Sequence, residues 1–362
     1  MPVSNITNTG STFTFTINSP VCIVNAIRRI IISDIPTFVF ETTPEEKNNM
    51  VIEVNTSRLN NEIIKQRFSC IPIHINDLST PVDTLQIQID KQNKTDNLIN
   101  VTTEDIKLFD LNADTYISDT VVNKMFPPNK LTGDHIIICR LRPRINDEIH
   151  GEHFKCTAKM SISTASVLGC YNVAHTCSFV YEKDIVQQNA VWNSIKNTIV
   201  EKDDSPETEA LKKKNWMLGA GTKIVKPNIY NFKLDTVGVF SNLQIIRKAL
   251  DILIRMFKKY MEKNDYIITE PPTQIQNGYD IQIEDDYTAG YIFQHILFQH
   301  FYENEKILSF VGFKKFHPHD SHSIIRLAFN DADSNEETVR SLIKRSSEII
   351  MKYLQDLDSK FI

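Results

Sequence analysis

Cysteine is scarce and scattered in this 362-residue chain, at Cys22, Cys70, Cys139, Cys156, Cys170 and Cys177. No C-x-x-C pair occurs, and the nearest two cysteines are seven residues apart. That spacing points to free thiols in a reducing compartment and excludes a zinc framework. Long apolar runs are missing too. The richest stretch, from Val21 to Phe40, is broken by Arg28-Arg29, Asp34 and Pro36. It falls short of the ~18–20 apolar residues that span a bilayer, so no membrane segment is expected. There is no basic excess: 40 Lys+Arg stand against 45 Asp+Glu, for a formal charge of -5. A chain of that balance does not bind nucleic acid through its overall field, although local basic patches stay open. Met1-Pro2-Val3-Ser4-Asn5 has neither a basic region nor an apolar core, and no signal peptide is expected. The glycosylation-type triplets at Asn5, Asn55, Asn93 and Asn100 therefore read as chance products of an Asn-rich chain.

What is present is ordinary for a globular protein: 41% hydrophobic and 23% charged residues. The length suggests about two to three domains. Ile, Asn and Lys are abundant and Lys far outnumbers Arg, a bias that looks like an AT-rich genome.

Hydrophobic periodicity places the elements. Over 10–17, Phe13, Phe15 and Ile17 alternate with Thr12, Thr14 and Thr16, which is strand spacing. Ser19-Pro20 supplies an N-cap and a first-turn proline, so a helix is expected from Pro20 to about Asp34, ended by Pro36. Val21, Val24, Ile27 and Ile31 form its stripe, and Ile23, Ile30 and Ile32 widen it beyond one face. A helix so apolar belongs in a large core or at an obligate interface. Residues 51–72 read as strand, turn and helix, with the helix over 60–68. Short strands follow to about residue 180, including 85–89, 135–141, 154–161 and 177–181. The charge cluster 201–207 reads as an exposed loop, and 233–240 as a strand. A helix over 242–262 carries Leu243, Ile246, Leu250, Leu253, Phe257 and Tyr260 in a coiled-coil-like stripe. Residues 264–277, with Pro271-Pro272, mark a boundary to a last unit of about 100 residues, a small-domain size. That unit reads as a strand over 279–283, a helix capped within 286–288 and running to about 302, and strands over 307–313 and 323–329. A capping box at Ser334-Asn335-Glu336-Glu337 then opens a helix bearing Val339, Leu342, Ile349, Tyr353 and Leu357, which runs almost to the C-terminus. Both halves share a plan of strand, apolar helix, strand and long closing helix, a weak internal repeat.

Specific motifs now narrow the reading. Asn25-Ala26-Ile27-Arg28-Arg29-Ile30-Ile31-Ile32-Ser33-Asp34-Ile35-Pro36-Thr37 resembles the signature of the alpha-type assembly subunits of multisubunit DNA-directed RNA polymerases. A second motif follows at that family's spacing. It runs from Val54-Asn55-Thr56-Ser57-Arg58-Leu59 to Arg67-Phe68-Ser69-Cys70-Ile71-Pro72-Ile73 and looks like the eukaryotic and archaeal version. Phe232-Lys233-Leu234-Asp235-Thr236-Val237-Gly238-Val239 is similar to the family's return into its dimerisation domain. The last unit resembles the small partner of that subunit, through Asp286-Tyr287-Thr288-Ala289-Gly290-Tyr291-Ile292, Phe310-Val311-Gly312-Phe313, His317-Pro318 and Ile324-Ile325-Arg326. Tyr287, Ala289 and Tyr291 depart from the partner's usual His, Leu and Asn. The resemblance covers 1–75, about 130–182 and 230–362. The four-cysteine zinc loop of some relatives has no counterpart.

The resemblance implies an α+β fold with two alpha-subunit-type dimerisation units paired in one chain. The first would comprise 1–41 and 178–262, a mostly β insert 42–177, and the second, small unit 263–362. It implies a non-catalytic assembly scaffold, with no cofactor and no metal, inside a nucleotidyltransferase complex. Its partners would be the two largest catalytic subunits and smaller subunits, with little or no direct DNA contact. Fusion of both partners looks like the polymerase subunit of large cytoplasmic DNA viruses, which places it in the virion and host cytoplasm. In the family the second arginine of the Arg28-Arg29 pair helps dock the second-largest subunit. The expected partner-binding residues are thus Arg28, Arg29, Ile32, Arg58 and Arg67. The expected intrachain interface is Val24, Ile27, Ile31, Leu250, Leu253, Phe257, Ile292, Ile296, Leu342, Ile349 and Tyr353.

Rival chemistries are poorly supported. Polymerase catalysis needs a carboxylate cluster for two magnesium ions. The nearest acidic run, Asp331-Ala332-Asp333-Ser334-Asn335-Glu336, has Glu336 where a calcium loop needs glycine and Leu342 where it needs glutamate. His317, His319 and His322 read as a hairpin turn more readily than a metal site. Gly219-Ala220-Gly221-Thr222-Lys223 lacks phosphate-loop spacing. The alternative class is a stand-alone nucleic-acid-binding module built on Lys212-Lys213-Lys214 and Arg140-Leu141-Arg142-Pro143-Arg144.

Overall fold

The computed structural model describes residues 3–144, 146, 150–201, 204–263, 265–272, 275–284, 287–331 and 334–361. In chain order the elements begin with β1 (Val3–Asn8), β2 (Thr12–Asn18), α1 (Val21–Ser33), β3 (Thr37–Val39), β4 (Met50–Asn55) and α2 (Asn61–Ser69). Next come β5 (Leu85–Gln92), β6 (Ile99–Thr102), β7 (Lys107–Asp110), β8 (Thr115–Tyr116), α3 (Asp119–Met125), β9 (Ile137–Leu141), β10 (His153–Lys159) and β11 (Ser161–Ser163). β12 (Ala174–Lys183), α4 (Ile185–Ile199), α5 (Pro206–Leu218), β13 (Val225–Thr236) and α6 (Asn242–Glu262) follow. The chain closes with β14 (Ile268–Thr269), β15 (Gly278–Ile283), α7 (Tyr287–Ile296), a π-helical turn (Leu297–Asn304), β16 (Leu308–Lys314), β17 (Ser323–Phe329) and α8 (Glu336–Asp358). Helices and antiparallel sheets are thus mixed along the chain, as an α+β fold requires. The chain divides into two compact units, one of 1–29, 176–235 and 250–362, the other of 30–175 and 236–249.

The first unit holds two four-stranded antiparallel sheets, ordered β1-β2-β13-β12 and β14-β15-β17-β16. Strand alternation sorts the first sheet into faces. Phe13, Phe15 and Ile17 are buried, and so are their cross-strand partners Leu234, Phe232 and Tyr230. Each such ring or chain removed from water contributes roughly 1.5–3 kcal/mol. On the opposite face Asn5 Nδ2 donates to Thr16 Oγ1 (3.2 Å), which donates to Asn231 Oδ1 (2.8 Å). Asn231 in turn donates to Glu182.

In the second sheet Ile281, Ile283, Ile325 and Leu327 are buried, and α7 packs against α8, β16 and β17. Gly290 permits that packing. A Cβ built there would lie 1.9 Å from the Phe313 ring. α8 buries Val339, Leu342, Ile343, Ser346, Ser347, Ile350, Leu354 and Leu357. Ser346 and Ser347 donate to Leu342 O and Ile343 O, at 2.8 and 2.9 Å, so their buried hydroxyls are satisfied inside the helix. The expected stripe through Ile349 and Tyr353 is therefore displaced. Both residues are only half-buried, because the buried face follows the 3.6-residue period rather than a heptad.

The second unit carries a five-stranded antiparallel sheet, β4-β10-β5-β7-β8, and the pairs β6-β9 and β3-β11. Its core includes Phe38, Phe40, Ile64, Phe68, Ile87, Ile138, Leu141 and Phe154. Asn60 caps α2, accepting from Ile63 N at 2.9 Å.

Several boundaries differ from expectation. β13 ends at Thr236, not at residue 240. Gly238 has φ +111°, and Thr236 Oγ1 accepts from Gly238 N (3.0 Å) and donates to Phe240 O (2.7 Å), which closes a turn. The cap of α8 is Asn335 rather than Ser334, since Asn335 Oδ1 accepts from Thr338 N at 2.9 Å. α8 stops at Asp358. The Ser19 hydroxyl accepts from Tyr353 OH at 2.8 Å. The expected cap at Asp286 lies outside the described residues. The diverged region contains two unexpected helices. Asp184 caps α4 and Ser205 caps α5, and the Trp192 and Trp216 rings meet at 5.6 Å.

Gly290→Ala should reveal what the α7–sheet contact contributes. Alanine gains up to ~1 kcal/mol of helix propensity, but its methyl overlaps the Phe313 ring, and overpacking typically costs about 1–3 kcal/mol. Urea denaturation should show a lower midpoint; an unchanged or raised midpoint would show that the ring moves aside freely.

Candidate subunit-docking site

α1 is the element on which the motif residues converge. Val24, Ala26 and Ile27 are buried, so the helix presents the other side of its first two turns outward. Arg28 and Arg29 are both half-buried and, one residue apart, point about 100° away from each other around the axis. They have different partners. Arg28 Nε donates to Asn25 Oδ1 at 3.0 Å, within the helix. Arg29 Nε donates to Thr288 Oγ1 at 3.0 Å, in the first turn of α7, 259 residues further along the chain.

A cavity of about 450 Å³ opens beside that contact. Val21, Cys22, Asn25, Ala26 and Arg29 line one side, and Tyr287, Thr288 and Tyr291 the other. Val21 and Tyr291 are 44% and 49% exposed, so its mouth is apolar and open to solvent. Tyr287 and Tyr291 stack at 6.1 Å, and Phe313 sits against both, over Gly290. Burial raises the Cys22 thiol to about 11, so it stays protonated at neutral pH and is a poor nucleophile. The cavity offers shape, aromatic surface and one guanidinium, which suits binding rather than covalent chemistry.

The interface residues are placed as follows. Val24, Ile27, Leu250, Leu253, Phe257, Ile292, Ile296 and Leu342 are buried in the first unit. Phe257 and Tyr260 of α6 meet Phe293 of α7 edge-on, with ring centroids at 5.1 and 5.3 Å. Phe15 of β2 meets Phe361 at 5.0 Å. Ile31 is buried in the second unit, where Ile32 is 38% exposed. Arg58 and Arg67 are exposed and also belong to the second unit. Arg67 Nη1 donates to Ile138 O at 2.8 Å, so part of its guanidinium holds α2 to β9. Sequence reading missed Thr288 as the partner of Arg29. It also missed the Phe313–Gly290 contact, for which a lone glycine inside a helical pattern was the available signal.

Three of the six cations in the basic segments of the rival reading are paired with carboxylates. Lys212 pairs with Asp204 (2.6 Å), Arg142 with Glu152 (2.6 Å) and Arg144 with Asp96 (3.0 Å). His317 and His319 sit in a turn closed by Asp320, and among the described residues no group of three or more His, Cys, Asp or Glu is placed to hold a metal ion. Among the described residues no helix is long and apolar enough to cross a membrane.

Known proteins resemble this chain in sequence. The RNA polymerase Rpb3/Rpb11 dimerisation domain family matches residues 14–257. The DNA-directed RNA polymerases IV and V subunit 3B of Arabidopsis thaliana is 24% identical over 300 residues, covering 68% of this chain and 87% of the plant protein. The archaeal DNA-directed RNA polymerase subunit Rpo3 of Methanocaldococcus jannaschii is 39% identical over 67 residues, 18% of this chain and 31% of the archaeal one. The chain belongs to the Rpb3/Rpb11 dimerisation-domain family, the assembly subunits of DNA-directed RNA polymerase that interact with its other subunits. The family match ends before the last hundred residues.

If the Arg29–Thr288 bond joins α1 to α7, Arg29→Ala and Thr288→Ala should not be additive. A hydrogen bond to a charged group suggests a coupling of about 1 kcal/mol after allowing for partial exposure. A double-mutant cycle by chemical denaturation measures it; strictly additive losses would leave the contact without an energetic role.

Proposed function

We propose that the chain is a non-catalytic assembly subunit that contains both members of an alpha-like pair. Residues 1–262 form the larger member, with 1–41 and 178–262 as its dimerisation domain and 42–177 as its β insert. Residues 263–362 form the smaller member. The observation that carries this reading is the aromatic contact of Phe257 and Tyr260 with Phe293. Three further facts support it. Arg29 bonds to Thr288, Tyr353 bonds to Ser19, and 250–362 share one compact unit with 1–29.

The mechanism is that of a scaffold. Placing both partners on one chain replaces a bimolecular association by an intramolecular one, at an effective concentration of roughly millimolar for a short linker. The paired units would then offer a single prebuilt surface to the two large catalytic subunits. In this reading Arg29 and the apolar mouth between Val21 and Tyr291 form part of the surface for the second-largest subunit. A guanidinium beside aromatic surface suits bidentate bonds to a partner carboxylate. Arg28 would add to that contact, and in the second unit Ile32, Arg58 and Arg67 would be further partner-binding residues. The AT-type composition and the fusion together favour a large cytoplasmic DNA virus as the source, with the virion and host cytoplasm as its places of action. The nucleic-acid module is the weaker reading, since carboxylates pair with Lys212, Arg142 and Arg144 of the basic segments it would use.

Separate expression tests the pairing. Fragments 1–262 and 263–362, produced together, should co-purify as a one-to-one complex, and the larger fragment alone should aggregate through its uncovered α6 stripe. Two soluble fragments that ignore each other would contradict the proposal.

A further inference from the structure

Each of the two sheets in the first unit has two edges. β14 is only two residues long. β1 is interrupted between Ser4 and Thr7, where Asn5 takes φ +51°. β12 and β16 are longer, and both end in charge: β12 in Glu182 and Lys183, of opposite sign, and β16 in Lys314. β16 differs in the sign of that charge. It is the outer strand of β14-β15-β17-β16, and its segment Phe310-Val311-Gly312-Phe313 carries no charge. Its one irregularity, at Leu308–Phe310, precedes that segment.

Side chains of β16 and its neighbour β17 form a slot. A pocket of about 220 Å³ is bounded by Phe310, Gly312, Phe313, Lys314 and Phe316 and, on β17, by Ile324 and Arg326. Phe310 and Phe316 are 42% and 57% exposed. A Cβ on Gly312 would lie 3.1 Å from the Phe310 ring, so the glycine lets that ring lie across the strand. Lys314 Nζ sits 4.2 Å over the Phe316 ring, at the slot's rim. The neighbouring ionic groups leave the edge cationic. Arg326 holds Asp280 in a bidentate pair at 2.6 and 2.7 Å, and Arg345 holds Glu305 at 2.9 Å. Lys306 precedes the strand and Lys314 ends it.

We propose that β16 is a strand-addition site for an extended segment of a partner chain. Backbone hydrogen bonds to the outer edge would supply affinity, and alternate side chains specificity. The segment would place an aliphatic side chain between Phe310 and Phe316 and set carboxylates against Lys306 and Lys314. The charge of the rim selects an acidic, aliphatic strand over a basic one. Phe313 is shared with the Arg29 face, where it packs against Tyr287 and Tyr291, but Phe310 and Lys314 do not line that cavity, so failure of the tests on those two would leave the assembly reading untouched.

The test uses the full chain and two short capped peptides, one alternating Glu with Ile and one alternating Lys with Ile. The acidic peptide should bind in a fluorescence anisotropy titration and slow hydrogen exchange at the backbone amides of 308–314. Lys314→Glu should weaken the acidic peptide by roughly fivefold to tenfold and improve the basic one, as expected for reversing one partly exposed charge. Phe310→Lys should weaken binding of both, and the exposed Lys314 variant keeps the test valid if Phe310→Lys fails to fold. Absence of binding, equal binding of both peptides, or binding without protection of 308–314 would overturn the proposal. Protection that rises with protein concentration alone would also overturn it, in favour of pairing between two copies.

Discussion

Phe293 is fully buried, and its ring is met edge-on by Phe257 and Tyr260 from the end of α6. Edge-to-face pairs add about 0.5–1.5 kcal/mol to what burial already contributes. The stripe of α6 behind them, Leu250, Leu253 and Phe257, has no solvent exposure at all. A helix with that much apolar surface cannot stand alone in water. It needs a cover, and α7 supplies part of it. The remaining features of the first unit are consistent with this constraint. Gly290 keeps Phe313 close to α7, Ser346 and Ser347 satisfy their hydroxyls within α8, and Arg29 reaches Thr288 across the same seam.

α1 illustrates how one sequence motif serves structure and recognition together. Ile23, Val24 and Ile27 are buried in the first unit and Ile30 and Ile31 in the second, while Val21, Arg28 and Arg29 lie on the remaining sides. The adjacent cavity is lined by tyrosines and a thiol that burial keeps protonated. The chemistry of this face is that of contact: shape, aromatic area and hydrogen-bond donors. That suits membership of a family of assembly subunits, whose work is to bring other subunits together.

Strong periodicities were legible in the sequence. α6 and β17 have the bounds that their spacing indicates, and the alternation of Phe13, Phe15 and Ile17 sets the face of β2. The charge cluster before Pro206 hid α5, because the helix buries no residue completely and leaves no stripe to read. The end of β13 was hidden by Val237 and Val239, which look like strand residues, although Gly238 forces a turn between them. On α8 the expected side ran through Ile349 and Tyr353, whereas Ile350 and Leu354 are the buried residues. In the site, the arginine pair was legible from its motif. Thr288 was not, because a contact across 259 residues leaves no local pattern.

The central claim is that the partner of 1–262 lies within the same chain. Sedimentation equilibrium of the purified full-length chain tests it directly. A chain whose dimerisation surfaces are already occupied should sediment as a 41.7 kDa monomer across the accessible concentration range. A mass of about twice that value, as expected for a symmetric pair of alpha-like subunits, would contradict the account.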